Sequence, residues 1–596
     1  MVRLSQKTPI SLMKNTSPTL HQLRTVLSAT FLLYATTPLF AEIRLPHFFS
    51  DHMVLQRERE VAVWGEADPG ASVQLSFKGK QAHTNADDKG FWKAAIQSGT
   101  ADANGAIFTI SAGRDKIELK DVIVGEVWFA SGQSNMVFRV KTAKGGQEFA
   151  EQANFPAFRF FDGPNVTASE PQKDIEGRWA ACTPQTVTEW SAVATFFATR
   201  LHQELGIPIG IIESSWGGKP IEAFISREVL NTLPATKTLV DSLYEAEKTY
   251  DSASAQAAYE KSMETWKNAV SEAKSKKDDN SIKKLRKPDA PKRPLLSERN
   301  PGVLFDAMIH PFIGYTIRGA IWYQGEGNSH PGSVPYEQTL PLLIQDWRKR
   351  WNDSFSFYYV QLANYHQPTT APGIAHGWPL VQDGMRRVLS KVPKTGMAVI
   401  NDVGEAGDIH PKDKRTPGER LARWALANDY GKDILFSSPL LKDSSIQGSD
   451  IIVTFDHTGA GLKAKDGGPL KRFEIAGEDR KWFWAKADIT SKDTVRVHSP
   501  EVPKPVAVRY AWAANPEGAN LVNSGDLPAS VFRTDDWDDV IPPPTAATAR
   551  ASQVKEMREL AQKLKETTPK SEEAKAMKSK LDQMLKDFKD SAPNSK

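Results

Sequence analysis

Ser134 lies in a polar stretch directly after a hydrophobic run. Residues 130–136 read ASGQSNM and follow DVIVGEVWF, which is typical of a buried strand. A serine at the end of such a strand can act as a nucleophile if a base, an orienting acid and oxyanion donors lie beside it. The alternative is a polar turn, and these seven residues alone fit both interpretations.

His410 is the candidate base, and Asp408 is the candidate orienting acid. Both lie in DVGEAGDIHPKDK, which follows the strand-like MAVIN. In an extended loop, residues two apart point to the same side, and Pro411 disfavours helical backbone at His410. A loop salt bridge, or an aspartate that caps a turn, is the alternative for this pair.

Two more loops offer groups that could bind an oxyanion. The stretch IGIIES ends in SSWGGKPIEAF, where Gly217 and Gly218 let a backbone amide approach a ligand closely. GAIWYQG continues into QGEGN, where Gln324 and Asn328 carry side-chain amides that could donate to an oxyanion. Glycine turns are common, so each loop is weak alone, but together they indicate one shared site.

The elements that must position these loops alternate between strands and helices from about residue 121 to 430. Short apolar strands that alternate with helices predict a parallel sheet covered on both faces, with sites at the carboxyl ends of its strands. The helix SAVATFFATRLHQELG is expected to end at Gly206. The predicted strands are VIVGEVWFA, IPIGIIES, IRGAIWYQ, FSFYYVQLA and MAVINDV.

The segments around this region have other patterns. Residues 42–120 and 431–540 have alternating, strand-like patterns and predict flanking β domains. A lysine- and glutamate-rich stretch at about 230–300 predicts a helical insertion, with a charged return that is interpreted as a solvated face. Residues 541–596 predict a linker and two helices, the second starting at Thr568 and Pro569, which form a hairpin, a weak coiled coil or a frayed tail.

Composition and the N-terminus restrict the class of protein. The chain has 596 residues and a net charge of +4, with its cations mixed among acids, so a nucleic-acid partner is not expected. The one cysteine, Cys182, excludes an intramolecular disulfide. Residues 1–41 combine basic residues, an apolar stretch and Ala41, which predicts a signal peptide and an exported protein, periplasmic or secreted, that is free of the membrane after cleavage. An uncleaved anchor is the alternative.

The four loops together resemble a known family. GQSNM, SSWGGKPIEAF, WYQGEGN and DIHPKDK, in this order, resemble the SGNH-type hydrolases and, more narrowly, the sialate O-acetylesterase family, and FFSDHMVLQR matches that family's start. The resemblance covers about residues 42–537. It implies an α/β fold: a flavodoxin-like hydrolase domain with a parallel sheet, flanked by β-sandwich-like domains and followed here by a helical tail. It also implies removal of acetyl esters from a sugar or polysaccharide without a metal or other cofactor.

The resemblance also implies roles for individual residues. Ser134 matches the nucleophile, His410 the general base and Asp408 the triad acid. The oxyanion donors would be the Ser134 amide, a Gly217 or Gly218 amide and the Gln324 side chain. The superfamily's third block has a glycine and an asparagine, whereas this chain has other residues around Gly325, so which side chain donates stays open. The remaining candidate oxyanion or substrate-binding residues are Gln133, Asn135, Glu326 and Asn328.

Two alternatives to a sialate esterase remain at this point. The substrate could be acetylated xylan or another polysaccharide, since no part of the sequence identifies the sugar. The protein could also be a non-catalytic sugar-binding surface protein, because β domains, many tryptophans and a helical tail fit that class. Self-association through the tail is a further expectation.

Overall fold

The computed structural model describes most of the chain after residue 41. The described residues are 42–276, 278–538, 557, 560, 561, 563, 564, 567 and 571–590. The predicted signal peptide lies outside them, as do Thr568 and Pro569. None of the described helices combines the length and the apolar composition needed to cross a membrane.

The described strands fall into three groups along the chain. The first group is β1 Val54–Gln56, β2 Glu60–Glu66, β3 Ser72–Phe77, β4 Lys80–Asn85, β5 Phe91–Gln97, β6 Asp102–Ala112 and β7 Asp115–Gly132. The second is β8 Phe155–Asp162, β9 Arg178–Cys182, β10 Ile209–Ser215, β11 Gly319–Tyr323, β12 Ser356–Val360 and β13 Thr395–Ala398. The third is β14 Leu440–Gln447, β15 Asp450–Asp456, β16 Lys463–Ala464, β17 Phe473–Ala476, β18 Trp482–Trp484, β19 Lys486–Ile489, β20 Thr494–His498, β21 Ala507–Tyr510, β22 Leu521–Val522 and β23 Phe532–Arg533.

The described helices lie mainly between the strands of the second group. They are α1 Ser134–Val137, α2 Gly146–Gln152, α3 Ala192–Leu205, α4 Arg227–Leu230, α5 Pro234–Lys248, α6 Ser252–Ser275, α7 Asp279–Lys284, α8 Tyr336–Trp351, α9 Gly377–Lys391, α10 Arg415–Asn428 and α11 Glu572–Asp590.

A large mixed sheet forms the centre of the protein. Among the described residues, eleven strands join it, and its central path runs β13-β12-β11-β7-β10-β8-β9. Every pairing on this path is parallel except the antiparallel edge pair of β8 and β9. The predicted mixed α/β fold is therefore confirmed.

Strand β7 belongs to two parts of this sheet. Its first half pairs antiparallel with β6, for example Ile110 with Ile117, while its second half pairs in parallel with β10 and β11. One continuous strand thus crosses the predicted boundary near residue 120. Because β7 has partners on both sides and helices on both faces, its second half is fully buried.

Helices cover both faces of the sheet. Trp128 and Phe129 are consecutive in β7, so their side chains point to opposite faces. Trp128 contacts Phe197 of α3, and Phe129 contacts Trp347 of α8. Helix α3 ends as predicted at Gly206, whose φ of 67° is the left-handed conformation that favours glycine.

The flanking regions have their own sheets. In the C-terminal β region, β14-β15-β20-β19 and β18-β17-β21-β23 form two four-stranded sheets around a separate hydrophobic core. The predicted insertion contains α5, α6 and α7, and α7 lies inside the stretch that was interpreted as a charged return. In the tail, the hydroxyl of Ser571 accepts a hydrogen bond from the Ala574 N–H and so caps the start of α11.

Candidate active site

Ser134 lies at the carboxyl end of the central strand β7. The strand ends at Gly132, and the one-turn helix α1 starts at Ser134. Gly132 has a φ of 143°, and a Cβ added there would lie 2.2 Å from the carbonyl oxygen of Tyr323 in the neighbouring β11. Only glycine fits this close approach, which places the turn and Ser134 at the edge of the sheet.

The structure brings His410 to Ser134. His410 Nε2 lies 2.8 Å from Ser134 Oγ, although the two residues are 276 positions apart. The Nδ1 atom of the same ring lies 3.6 Å from Asp408 Oδ1, which is just beyond a direct hydrogen bond. Asp408 Oδ1 also accepts a hydrogen bond of 2.9 Å from the His410 backbone N–H. The three residues are therefore arranged in the order acid, base, hydroxyl.

The protonation of His410 suits a base. Burial lowers the pKa of His410 below its usual value, and the carboxylate of Asp408 partly opposes this while the charge of Lys414 adds to it. The imidazole is therefore neutral near pH 7. A neutral ring with Nε2 facing a hydroxyl can accept the hydroxyl proton.

The backbone at Gly217 lies against Ser134. A Cβ added at Gly217 would lie 3.2 Å from Ser134 Cβ, so a side chain there would crowd Ser134. Gly218 follows with a left-handed φ of 69°. Within the described part of the chain, the N–H groups of Ser134 and Gly217 donate no hydrogen bond, which leaves them available to an oxyanion.

The Gln324 side chain is buried and does not line the pocket that contains Ser134. It is completely buried, and its Nε2 donates to Asn328 Oδ1 at 2.8 Å, to the Lys219 carbonyl at 3.1 Å and to Gln133 Oε1 at 3.2 Å. Its Oε1 accepts a 2.7 Å hydrogen bond from the Tyr336 hydroxyl. The structure therefore does not bring the Gln324 amide to the Ser134 hydroxyl.

Asn328 is also committed to this buried network. Its Nδ2 donates to both carboxylate oxygens of Glu222, and its Oδ1 accepts from the Ile221 N–H. Gln133 differs, because its Oε1 accepts from the Gly327 N–H while its Nε2 donates to no described residue. Gln133 lines the same pocket as Ser134. Of the predicted amide side chains, Gln133 is thus the one with a donor left over among the described residues.

Asn135 and Glu326 hold the loop that carries His410. Asn135 Nδ2 donates to Glu326 Oε1 and, at 3.1 Å, to the Ile409 carbonyl. Both side chains are almost fully buried. The carbonyl of Ile409 belongs to the residue directly before His410, so this contact joins the turn of Ser134 to the loop of His410.

Lys414 completes this connection and was not among the predicted site residues. Its ammonium is fully buried and donates to Asn135 Oδ1 at 2.7 Å and to the Pro411 carbonyl, directly after His410. Burial lowers the pKa of Lys414 to about 8 and raises that of Glu326. In the sequence, Lys414 is the last residue of a charged loop, and its pattern is the same as that of a solvated lysine.

The pocket around Ser134 has further residues that the sequence did not single out. Arg299 from the end of the insertion lines it, and its Nη1 donates a 2.7 Å hydrogen bond to the Gly218 carbonyl. A group of rings from the segment after β12 and the first turn of α9 also lines it. Their positions depend on loop paths that carry no local sequence signal.

A comparison with protein-family models finds no match. A carbohydrate acetylesterase from Xanthomonas citri has a similar crystal structure, with a TM-score of 0.69 and 33% sequence identity. The match covers 83% of this chain and 100% of that protein. The chain belongs to the carbohydrate acetylesterase family. This membership confirms the predicted enzyme class, a carboxylic ester hydrolase that acts on acetylated carbohydrates.

Curated relatives of this acetylesterase have a narrower name. This chain is 28% identical to the sialate O-acetylesterase of Rattus norvegicus, over 82% of this chain and 94% of the relative. It is 26% identical to the sialate O-acetylesterase of Homo sapiens over 81% of this chain and 90% of that relative. The predicted resemblance to sialate O-acetylesterases is thus confirmed as a similarity over most of the acetylesterase.

Proposed function

We propose that the protein is a serine esterase that removes O-acetyl groups from sialic acids through an acetyl-Ser134 intermediate. Residues 121–430 would form the flavodoxin-like SGNH hydrolase domain, with β-sandwich-like domains on either side. The observation that carries the proposal is the 2.8 Å contact between His410 Nε2 and Ser134 Oγ at the carboxyl end of a central parallel strand.

The reaction follows from this geometry in two halves. His410 Nε2 takes the proton of Ser134 Oγ while Oγ attacks the acetyl carbonyl carbon, and the carbonyl oxygen becomes an oxyanion. His410 then gives the proton to the sugar oxygen as the ester bond breaks. In the second half, His410 takes a proton from water, the hydroxide attacks the acetyl-enzyme, and acetate leaves as Oγ regains the proton. Asp408 lies on the Nδ1 side, where its charge stabilises the imidazolium.

The oxyanion would be held by the N–H groups of Ser134 and Gly217 and by Gln133 Nε2. Gln133 is supported because its Nε2 has no partner among the described residues, while the Gln324 and Asn328 amides are both engaged. Gln133→Glu keeps the acceptor for the Gly327 N–H and removes the donor. Loss of one such donor costs about 10²- to 10³-fold in kcat.

Arg299 supports an acidic sugar as the substrate. Its guanidinium is exposed in the pocket of Ser134 and forms no ion pair within the described ranges. One N–H is used on the Gly218 carbonyl, which leaves other N–H groups for a planar carboxylate. Sialic acids carry such a carboxylate, whereas xylose units do not.

Acetate release from a small substrate panel tests this function. The panel is a 9-O-acetylated sialic acid glycoside, acetylated xylan and a 4-nitrophenyl acetate. Wild type should release acetate fastest from the sialic acid glycoside, and Ser134→Ala should release none while remaining folded. Acetate release by Ser134→Ala near the wild-type rate would refute the role of Ser134, and faster release from acetylated xylan would refute the acidic substrate.

The Arg299→Met variant tests the substrate separately from the chemistry. We expect a selective loss of activity on the sialic acid glycoside, with 4-nitrophenyl acetate little changed. Arg293→Met is the matched control, because Arg293 lies in the same insertion but pairs with Glu247. Equal loss on both substrates, or the same loss in the control, would contradict carboxylate binding by Arg299.

A further inference from the structure

Ring side chains form one wall of the pocket that contains Ser134 and His410. Tyr365, His366, His376 and Trp378 all line this pocket. The centroids of Tyr365 and His366 are 3.9 Å apart, and those of His366 and His376 are 5.4 Å apart. Trp378 lies 5.4 Å from Tyr365 and is fixed by a 2.8 Å hydrogen bond from its Nε1 to the Ala363 carbonyl. We call these four residues the ring wall.

The ring wall has polar atoms that no described residue satisfies. His376 Nδ1 accepts a 3.0 Å hydrogen bond from the Trp378 N–H, so the proton of the neutral ring is on Nε2. His376 Nε2, the ring nitrogens of His366 and the Tyr365 hydroxyl make no hydrogen bond within the described ranges. His366 is exposed and Tyr365 and His376 are partly exposed, and all three line the pocket, so these atoms can reach a ligand there.

Both histidines suit the hydroxyl groups of a ligand. Burial lowers the pKa of His366 and of His376 below the usual value. At neutral pH each ring is therefore uncharged, with one donor and one acceptor. Sugar hydroxyls also donate and accept, and the apolar C–H face of a pyranose packs on ring side chains.

The backbone of the ring wall is strained where it reaches the pocket. His366 has a left-handed φ of 76°, which is uncommon for a residue other than glycine. Two hydrogen bonds of 2.8 Å hold it there, from Tyr365 N–H to the Ala514 carbonyl and from Asn515 Nδ2 to the His366 carbonyl. Strain of this kind persists only where surrounding contacts maintain it, and it is common at ligand sites.

The C-terminal β region supports the same segment at a second place. Glu474 in β17 is buried and accepts a 2.9 Å hydrogen bond from the Gly373 N–H. Arg472 donates a 2.6 Å hydrogen bond to the Thr369 carbonyl. The described pocket lining includes no residue of the C-terminal β region, whose hydrogen bonds here are to the segment that carries the ring wall.

We propose that the ring wall is the subsite for the leaving sugar, in which Tyr365, His366 and His376 bind hydroxyl groups and Trp378 packs behind them. The proposal rests on the proposed function, since it assigns the sugar part of the ester to this wall and the acetyl part to Ser134 and Gly217. The acetyl group offers one acceptor, its carbonyl oxygen, which the N–H groups of Ser134 and Gly217 would bind, so the unpaired polar ring atoms are left for another part of the ligand. These atoms fit the hydroxyl groups of the sugar from which the acetyl group is removed.

The test removes the rings while keeping the backbone. His366→Asn and His376→Asn are suitable because asparagine tolerates the left-handed conformation at the first position and caps a helix at the second. His457→Asn is the matched control, because His457 also has a positive φ, of 61°, and does not line the pocket. Each protein is assayed on the O-acetylated sialic acid glycoside and on 4-nitrophenyl acetate.

We expect the double variant His366→Asn with His376→Asn to lose about tenfold or more in kcat/KM on the sugar ester, as two hydrogen bonds are lost. Its kcat/KM on the aryl acetate should stay within about threefold of wild type. Calorimetric binding of the acetylated sugar to Ser134→Ala protein should weaken by the same factor when the two substitutions are added. Equal losses on both substrates, or unchanged binding of the sugar, would overturn the subsite.

Failure of the proposed function would appear elsewhere. Acetate release by Ser134→Ala would show that Ser134 is not the nucleophile. The binding comparison would still decide whether the ring wall holds the sugar. If wild type prefers acetylated xylo-oligosaccharides, the same variants are compared with that ligand, and a selective loss there would still support the subsite while refuting the sialic acid.

Discussion

Replacement of Lys414 by methionine is expected to lower kcat about 100-fold without abolishing folding. The Lys414 ammonium joins Asn135, directly after Ser134, to the Pro411 carbonyl, directly after His410. A hydrogen bond to a charged group contributes about 1.5–3 kcal/mol of stability. The two hydrogen bonds of Lys414 therefore stabilise the position of the His410 loop by about 3–6 kcal/mol. If the misplacement of His410 raises the activation free energy by about 3 kcal/mol, the rate falls roughly 100-fold.

The pH profile separates a positioning role from a general loss of stability. Because the pKa of Lys414 is lowered to about 8, wild type loses the charge of this residue above that pH, and its kcat should decline there. Lys414→Met has no such group, so its alkaline decline should disappear. The charge of Lys414 also lowers the pKa of His410, and activity needs neutral His410. In Lys414→Met the His410 pKa rises, so activity on the acid side is lost at a higher pH than in wild type.

The assay is kcat and KM for 4-nitrophenyl acetate from pH 5 to 10, with thermal unfolding measured in parallel. Lys219→Met is the matched control, because Lys219 is also buried but pairs with Glu298, and among the described residues it forms no hydrogen bond or ion pair with the His410 loop. If Lys414→Met keeps the wild-type alkaline decline and acid limb, or if Lys219→Met loses the same features, the reasoning about Lys414 is wrong.

Two further substitutions test the geometry around Ser134. Asp408→Asn is expected to lower kcat about 10- to 100-fold, less than for a buried triad aspartate, because the 3.6 Å approach to His410 is long and both side chains are partly exposed. Steady-state kinetics with a circular-dichroism control for folding measures this effect. An unchanged kcat would show that Asp408 has no role in the mechanism. Gly217→Ala is expected to lower kcat at least tenfold with little change in melting temperature, because the new Cβ would lie 3.2 Å from Ser134 Cβ. A wild-type kcat in this variant would show that the backbone at Gly217 does not face the reacting carbonyl.

The approach of Ser134 and His410 could be predicted because each strand is recognised from its local apolar run and a general rule of parallel sheets places the strand ends together. Apolar runs identify β7 and β13 as buried strands, and parallel strands bring their carboxyl ends to one edge of a sheet. The two loops are then near each other whatever their detailed paths. The end of helix α3 at Gly206 could be predicted from a local signal, since glycine adopts the left-handed conformation that terminates a helix.

The direction of individual side chains could not be predicted in the same way. Gln324 and Gln133 are both amides at strand ends, but Gln324 points into the buried network and Gln133 keeps a donor at the pocket. Lys414 has the sequence pattern of a solvated lysine, and only the tertiary fold shows that it is buried. The path of Tyr365 and His366 depends on Ala514 and Asn515, about 150 residues away. Such placements arise from contacts between distant segments, which local patterns do not encode.

Covalent labelling by a serine-directed reagent decides whether Ser134 is the nucleophile. The full-length protein is treated with a fluorophosphonate, and the modified residue is located by peptide mass spectrometry in wild type, Ser134→Ala and His410→Ala. The account predicts one adduct, on Ser134, that is absent in Ser134→Ala and forms far more slowly in His410→Ala. An adduct on another serine of wild type, or labelling of Ser134→Ala at the wild-type rate, would contradict it.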